Sequence, residues 1–495
     1  MFRKVLIANR GEIAVRVLRA LREMGISSVA VYSEADRASL QVRMADEAVC
    51  IGPAASSESY LRIDKLIDAA RQTGAEAIHP GYGFLSENAE FADACANAGI
   101  VFIGPPASAI RAMGSKIAAR QLAIAAGVPV VPGTESPVSD PLEARKVAAE
   151  VGYPVLLKAA AGGGGKGMRL VESEAHLESA LRDASSEAER AFGSRLVYIE
   201  RAVLRARHVE IQVLGDSYGH MIHLGERECS IQRRHQKVME ECPSPLMSRR
   251  PDLREQMGAA ALKAARAAGY YNAGTVEFLV DDQDRFYFLE MNTRLQVEHP
   301  VTELVTSTDL VHWQLRIASG EPLTLRQEDV SWRGHALECR IYAEDPDNEF
   351  FPSPGKILQL ERPAGPGIRL DSGVYQGWTV PLDYDPLLAK LAVWGETREV
   401  AIERMMRALA EYYVAGITTN LSFFRQILRD REFRAGHLYT GFLNEFFKRS
   451  RALEDGHDDR ELVAALVAAL HSSRKPEAVP LPSRWRHEGR ERSLR

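Results

Sequence analysis

Cysteine is scarce: five in 495 residues, Cys50, Cys95, Cys229, Cys242 and Cys339, with no Cys-x-x-Cys pair. That spacing excludes a zinc ribbon and a disulfide scaffold, and it fits a reducing cytoplasm. Long apolar runs are also missing. Near the N-terminus the stretch Val5 to Ala8 stops at Asn9-Arg10, too short for a signal-peptide core or a membrane helix, and it is expected as a buried strand. Nor is there an excess of one charge. With 62 basic and 67 acidic residues and a net charge of -5, the chain has no overall footprint for nucleic acid, though a compact anionic substrate stays compatible.

What is present is ordinary for a soluble globular protein: 45% hydrophobic and 26% charged residues. The length predicts about three domains at roughly 150 residues each. Up to about residue 113, short apolar runs (Val5 to Ala8, Ser28 to Tyr32, Ala77 to His79, Ile100 to Ile103) alternate with helical segments such as Ile13 to Met24 and Ile63 to Thr73, the signature of a parallel sheet with crossover helices. A second region, 114–330, reads as mixed α+β. From His335 onward, short strands punctuated by Pro352, Pro354, Gly355, Pro363, Gly365, Pro366 and Gly367, then a helix from Glu399 to Tyr412, predict a third, smaller domain over 331–447. The remainder, 448–495, has one amphipathic stretch, Glu461 to His471, and a polar, Arg-rich end.

Three clusters carry the candidate chemistry. The run Ala161-Gly162-Gly163-Gly164-Gly165-Lys166-Gly167-Met168 follows the strand-like Val155 to Lys158. Glycines let backbone N–H groups approach phosphate oxygens, but Lys166 is followed by Gly167 rather than Ser or Thr, so this is no Walker A loop. A mobile phosphate-covering loop is favoured over an idle hairpin tip because ordering four glycines costs considerable chain entropy. Lys158 would supply positive charge beneath it.

The second cluster lies between Gly274 and Pro300. Asp281-Asp282-Gln283-Asp284 separates two β-prone runs and predicts a hairpin; with the turn centred between Gln283 and Asp284, Glu277 and Glu290 are equidistant from it and face each other. Two carboxylates opposed in apolar surroundings repel unless one is protonated or a cation lies between them, and Mg²⁺ is the hard cation typically shared with nucleotide phosphates. Beyond Glu290, alternation puts Asn292, Arg294, Gln296 and Glu298 on the same face of an extended segment. That row joins metal ligands, an anion-binding guanidinium, an amide and a carboxylate able to act as base. Alone it would be read as a solvated strand face.

The third cluster, Ser230 to Lys237, concentrates donors; a basic surface loop fits it as well as an anion site. Arg340 sits in the alternating run Ala336 to Ile341, where the bland reading is an ion pair with Glu338 or Glu344. Cys229, with no identifiable base, is expected to be buried and structural.

Taken together, Ile7-Ala8-Asn9-Arg10-Gly11-Glu12-Ile13-Ala14, His79 to Asn88, Gln232 to Lys237 and Glu290 to Pro300 resemble biotin carboxylases, in the family's order and over about Arg3 to Phe446. The resemblance implies a Rossmann-like N-terminal domain (1–113), a central ATP-grasp domain (114–330) with a mobile lid at about 131–203, and a C-terminal mixed α/β domain (331–447) that helps form the biotin site. It implies that Lys116, Lys158, Gly164 and Gly165 contact ATP phosphates and that Glu200, Arg201, Ala202 and Val203 border the adenine. His208, Gln232 and His235 would complete nucleotide recognition. Glu277, Glu290 and Asn292 would hold Mg²⁺ or Mn²⁺; Lys237, Arg294, Gln296 and the Val297 backbone would hold bicarbonate; Glu298 would be its base; and Arg340 would stabilise the biotin enolate. The family's reaction runs from bicarbonate and ATP through carboxyphosphate to CO₂, which biotin captures.

Phe350-Phe351-Pro352-Ser353-Pro354-Gly355 stands where the family usually has Phe-Met-Pro-Ser-Pro-Gly, a matter of local packing. No Met-Lys-Met biotin acceptor occurs, so the biotin is expected on a separate biotin carboxyl carrier protein. A carboxyltransferase is expected as the further partner and a homodimer as the assembly. The Arg-rich tail, Ser472 to Arg495, is expected either to dock such a partner or to remain solvated. Another ATP-grasp ligase and a silent ATP-binding scaffold are the rival readings.

Overall fold

The computed structural model describes all residues except 135, 139, 160–167, 193–194 and 457–495, so Gly164, Gly165, the Glu461 to His471 stretch and the tail lie outside the described residues. The chain divides into one unit, Met1–Leu443, and a second, Asn444–Arg495.

The apolar runs of the N-terminal region become five strands: β1 (Lys4–Ile7), β2 (Ser27–Ser33), β3 (Glu47–Gly52), β4 (Ala77–His79) and β5 (Val101–Phe102). They pair in parallel in the order β3-β2-β1-β4-β5. A parallel sheet is covered on both faces, which is why Val5, Leu6 and Ile7 are all apolar and all fully buried. Helix α1 (Gly11–Glu23) follows β1 directly. Asn9, at that junction, donates from Nδ2 to the carbonyls of Pro80 (2.7 Å) and Tyr82 (2.8 Å), joining two segments that stand far apart in sequence.

Strands β6 (Val155–Ala159), β7 (Met168–Val171) and β8 (Val197–Arg201) form a small antiparallel sheet in the order β7-β6-β8. With the helices Pro141–Val151 and Glu174–Phe192 it encloses its own apolar core around Ala148, Val155, Leu157, Leu177 and Ile199.

The large sheet is antiparallel and eight-stranded. It runs β13 (Phe286–Asn292), β12 (Asn272–Val280), β9 (Arg207–Gly215), β10 (Met221–Arg233), β11 (Gln236–Cys242), β14 (His335–Tyr342), then the strands Leu387–Gly395 and Ile368–Ser372. Punctuation by proline and glycine predicts short C-terminal strands, yet His335–Tyr342 and Leu387–Gly395 hold eight and nine residues and continue this sheet. The reason is where the prolines fall. Pro352, Pro354, Pro363 and Pro366, which cannot donate to a ladder, lie between the long strands and before Ile368–Ser372, in a stretch whose pairings are only two or three residues long. The helix His299–Thr306 packs against this sheet near its middle. Among the described residues, no helix is long and apolar enough to cross a membrane.

Candidate active site

The β12–β13 hairpin forms around Asp281, whose Oδ1 accepts from the backbone of Gln283 (3.0 Å) and Arg285 (2.9 Å), while Asp284 takes the left-handed conformation that closes the turn. Glu277 lies opposite Glu290, as turn counting predicts. The register arises differently from the count. Val280, Leu279 and Phe278 pair with Phe286, Tyr287 and Phe288, which centres the turn on Gln283; a shift at Leu289 then brings Glu290, not Leu289, opposite Glu277.

Glu277 is almost fully buried and heavily engaged. Its Oε1 accepts from Lys237 Nζ (2.7 Å), Asn292 Nδ2 (2.8 Å) and Gln296 Nε2 (3.2 Å), and its Oε2 lies 2.9 Å from His208 Nε2. Burial alone would raise this carboxyl, but Lys237 and His208 hold it far below the usual range. Glu290 is the opposite case. It makes no hydrogen bond or ion pair among the described residues, and burial together with the facing Glu277 pushes its carboxyl up, with Lys116 offsetting part of the rise.

Lys237 stands at the centre of three carboxylates. Its Nζ lies 2.5 Å from Glu210, 2.7 Å from Glu277 and 2.8 Å from Glu298. Burial would lower the ammonium, but those three acids raise it well above the ordinary lysine value. The stretch from Ser230 to Lys237 is therefore not a basic surface loop. It is the end of β10, an exposed turn at Arg234 and His235, and the start of β11, with Gln232 Nε2 placed 3.0 Å from His208 Nδ1. His235 remains at that exposed turn, with no hydrogen bond among the described residues.

Glu298 begins the helix His299–Thr306 and is fully buried. Besides Lys237, its second oxygen takes Arg340 Nη2 at 2.9 Å. Burial would raise this carboxyl; Lys237 and Arg340 outweigh it and hold Glu298 well below the carboxylate range. Arg340 thus pairs with neither Glu338 nor Glu344. Its Nε donates to Glu240 at 2.6 Å, across the strand pair, while Glu344 is taken by Arg233 at 2.8 Å. Cys229 is buried, as expected, and burial with Glu210 nearby pushes its thiol well up, which leaves it no nucleophile.

The row from Glu290 to Glu298 does not continue as an extended face. Strand β13 ends at Asn292, and the following loop brings Asn292 and Gln296 of that row round the Arg294 guanidinium. Arg294 donates to Asn292 Oδ1 (3.0 Å), Gln296 Oε1 (2.8 Å) and Glu87 Oε2 (2.9 Å), and Glu87 also accepts the backbone N–H of Thr293 at 2.9 Å. Convergence comes from the loop, not from strand alternation.

Beside this cluster is a narrow cleft of about 80 Å³ lined by Lys116, Arg120, Lys158, Glu200 and Glu290 among others. Lys158 Nζ sits 2.5 Å from Glu200, and Arg120 reaches the same carboxylate at 3.4 Å. The backbone N–H groups of Arg201 and Ala202 are committed to Pro132 and Pro154, and the Arg201 side chain donates to Tyr287 Oη at 2.7 Å. Val203 follows the end of that strand. A larger cleft, about 490 Å³, is lined by Arg294 together with Asn9, Glu12, Tyr82, Val297, Arg340 and neighbouring residues.

Sequence reasoning missed Glu87, Glu210, Arg227 and Lys390. Arg227 is fully buried and binds Glu210, Gln212, Thr275 and Thr302, thereby aiming Glu210 at Lys237. Glu87 does stand inside the His79 to Asn88 motif, without an assigned role. No local signal marks the other three.

Two clefts, one bordered by Lys116, Lys158, Glu200 and Glu290 and the other containing the Arg294 guanidinium, suit an enzyme that couples a nucleotide to a small anion. Residues 115–326 match the ATP-binding domain of the carbamoyl-phosphate synthase L chain, so the protein is an ATP-dependent ligase of the ATP-grasp class. Residues 1–110 and 338–445 match the biotin carboxylase N-terminal and C-terminal domains. The chain is 54% identical to a pyruvate carboxylase subunit of Methanothermobacter thermautotrophicus, over 97% of each chain, and 53% identical to biotin carboxylase 1 of Bacillus subtilis, over 90% of this chain and 99% of that one. Biotin carboxylase of Campylobacter jejuni in its β-γ-ATP complex superimposes with a TM-score of 0.86 at 48% identity, covering 90% of this chain and 99% of the other. The chain belongs to the biotin carboxylase family, and its activity is the carboxylation of biotin.

Proposed function

We propose that the chain carboxylates biotin borne on a separate biotin carboxyl carrier protein, as the first half-reaction of an acyl-CoA carboxylase acting on acetyl-CoA or propionyl-CoA. The observation that carries the site assignment is the three-carboxylate grip on Lys237, with Arg340 closing on Glu298. In this reading Lys116, Lys158, Gly164 and Gly165 hold ATP phosphates, Glu200 through Val203 border the adenine, and His208, Gln232 and His235 complete the nucleotide site. Lys237, Arg294, Gln296 and the Val297 backbone hold bicarbonate. A bicarbonate ion that engages Lys237 weakens the lysine's hold on Glu298, which raises the basicity of that carboxylate where a proton must be removed. With its proton passed to Glu298, the bicarbonate attacks the γ-phosphate and expels ADP to give carboxyphosphate, which splits into CO₂ and phosphate; the phosphate takes the ureido proton of biotin, and Arg340, from the larger cleft, stabilises the biotin enolate that captures CO₂.

The donor set also fits a divalent cation. Glu290, unpaired among the described residues and facing Glu277, with Asn292 two residues on, has the hard oxygens that Mg²⁺ or Mn²⁺ takes, and the cation would neutralise phosphate charge in the ATP transition state. The related biotin carboxylase domain of Hydrogenobacter thermophilus 2-oxoglutarate carboxylase was crystallised as a dimer with MgADP, ADP and bicarbonate, in support of this ligand set and of a homodimer. The division 1–113, 114–330, 331–447 and 448–495, a carboxyltransferase partner and a cytoplasmic setting belong to the same proposal. A second reading, the biotin carboxylase component of a pyruvate carboxylase built from two kinds of chain, is favoured by the Methanothermobacter relative. Labelled bicarbonate, ATP and a purified biotinylated carrier domain test the first half: label must appear on the carrier. Its onward transfer by the partner carboxyltransferase to acetyl-CoA, propionyl-CoA or pyruvate then chooses between the two readings, and no label on any carrier would refute both.

A further inference from the structure

We infer that Lys390 is a positioning residue that fixes the Val297–Glu298 backbone, and so the bicarbonate end of the site, through the carbonyl of Val297. The inference rests on the reading above that this segment holds bicarbonate. Lys390 lies on the strand Leu387–Gly395 and is fully buried. A buried ammonium is costly unless it is compensated, and a nonpolar side chain of similar volume is often no less stable there. Its compensation is divided in an informative way. Glu12 Oε1 at 3.3 Å and Asp371 Oδ2 at 4.0 Å balance the charge, but the hydrogen bond of the ammonium goes to an uncharged group, the Val297 carbonyl, at 2.8 Å.

Two neighbouring strands thus send one cation each to successive residues of the site. Arg340 and Lys390 are directly opposite in the ladder between β14 and Leu387–Gly395. Arg340 holds the Glu298 side chain, and Lys390 holds the backbone one residue before it. The counter-ion is held just as closely. Glu12 is 3% exposed, and neither of its oxygens has a hydrogen-bond partner among the described residues. The backbone at Gly11 and Glu12 is pressed so tightly against Gly373 that a Cβ there would meet it at 2.6 Å. This gives the Asn9 to Ala14 motif a task at the site: its glutamate supports the lysine that supports Val297.

The test compares the full chain with Lys390→Met, Lys390→Gln and the double variant Glu12→Gln/Lys390→Met, reading melting temperature and the KM values for bicarbonate and ATP in MgATP turnover. Lys390→Met is expected to raise the bicarbonate KM by about tenfold or more, with the ATP KM unchanged. The double variant, which removes the stranded carboxylate, is expected to recover the melting temperature but not the bicarbonate KM. Lys390→Gln, whose amide still donates, recovers part of it. If the double variant regains the wild-type bicarbonate KM together with its melting temperature, Lys390 is structural only and the inference is overturned. If the wild type itself ignores bicarbonate, the assignment of this segment fails first, and the inference with it.

Discussion

Glu277 stands opposite Glu290 one step out of register with the Phe278–Phe288 pair beside it, because Leu289 is the extra residue that moves the second strand along. Continued in the register of Phe278 and Phe288, the hairpin would oppose Glu277 to a leucine. The shift is what assembles two acids on one face, and burial, with the facing Glu277 adding to it, pushes the Glu290 carboxyl up.

Removing that acid separates stability from function. Glu290→Gln is expected to leave the melting temperature unchanged or higher, since it deletes a half-buried acid with no partner among the described residues, while the Mg²⁺ concentration needed for half-maximal ATP turnover rises about tenfold or more. A thermal melt and a Mg²⁺ titration check the two halves.

Arg294 holds three side chains, Glu87, Asn292 and Gln296, and the Leu295 carbonyl from one planar group. Arg294→Ala should lower bicarbonate-dependent turnover by about a hundredfold, an effect on the scale of losing one preorganised charge-stabilising donor. Arg294→Lys should not restore it, because an ammonium cannot span the same fork of acceptors. Steady-state kinetics on both variants decide the point.

Glu240 gives a pH dependence with a definite sign. Burial pushes its carboxyl up to about 7 against the pull of Arg340. Above that value Glu240 is ionised and holds Arg340; below it the carboxyl takes a proton and the charge-assisted bond weakens. Glu338, paired across the strands with Glu240, is also pushed up by burial, while Lys237, Arg340 and Glu298 keep their charges. Biotin-dependent turnover is therefore expected to fall as pH drops through about 7. Glu240→Gln should flatten that limb in a pH–rate profile.

How much of this is legible in the sequence depends on the distance over which each contact acts. The parallel N-terminal strands follow from short apolar runs, and the Glu277–Glu290 opposition from counting to a turn. The count succeeds through a compensation: the turn centres on Gln283, and the shift at Leu289 restores the pairing. Alternation gathers the right side chains between Glu290 and Glu298 but assigns them to a strand that ends at Asn292. Partners far away in sequence are out of reach. Arg340 looks to Glu338 and Glu344 because they are local, whereas its true partners, Glu240 and Glu298, arrive through the sheet and the helix start. Lys390 resembles any polar residue in a strand until the fold brings Val297 to it.

Acid stability offers a check on the buried ion pairs outside the site. Burial would raise Glu241, but Arg398 and His335 bring it from 4.5 down to about 2. A depressed folded value means that the unfolded chain binds more protons between the two values, so this stabilisation is fully present above about 4.5 and is lost as pH falls toward about 2. The shift is worth about 3 kcal/mol. Glu241→Gln should melt at a lower temperature than the wild type at neutral pH, and the gap should narrow at acid pH.

The most direct test of the account is ATP hydrolysis by the purified chain with Mg²⁺ and bicarbonate, with and without free biotin, beside Glu298→Gln and Arg294→Ala. The account predicts turnover that needs bicarbonate, rises with biotin and is lost in both variants. Turnover indifferent to bicarbonate and biotin, or retained in full by both variants, would contradict it.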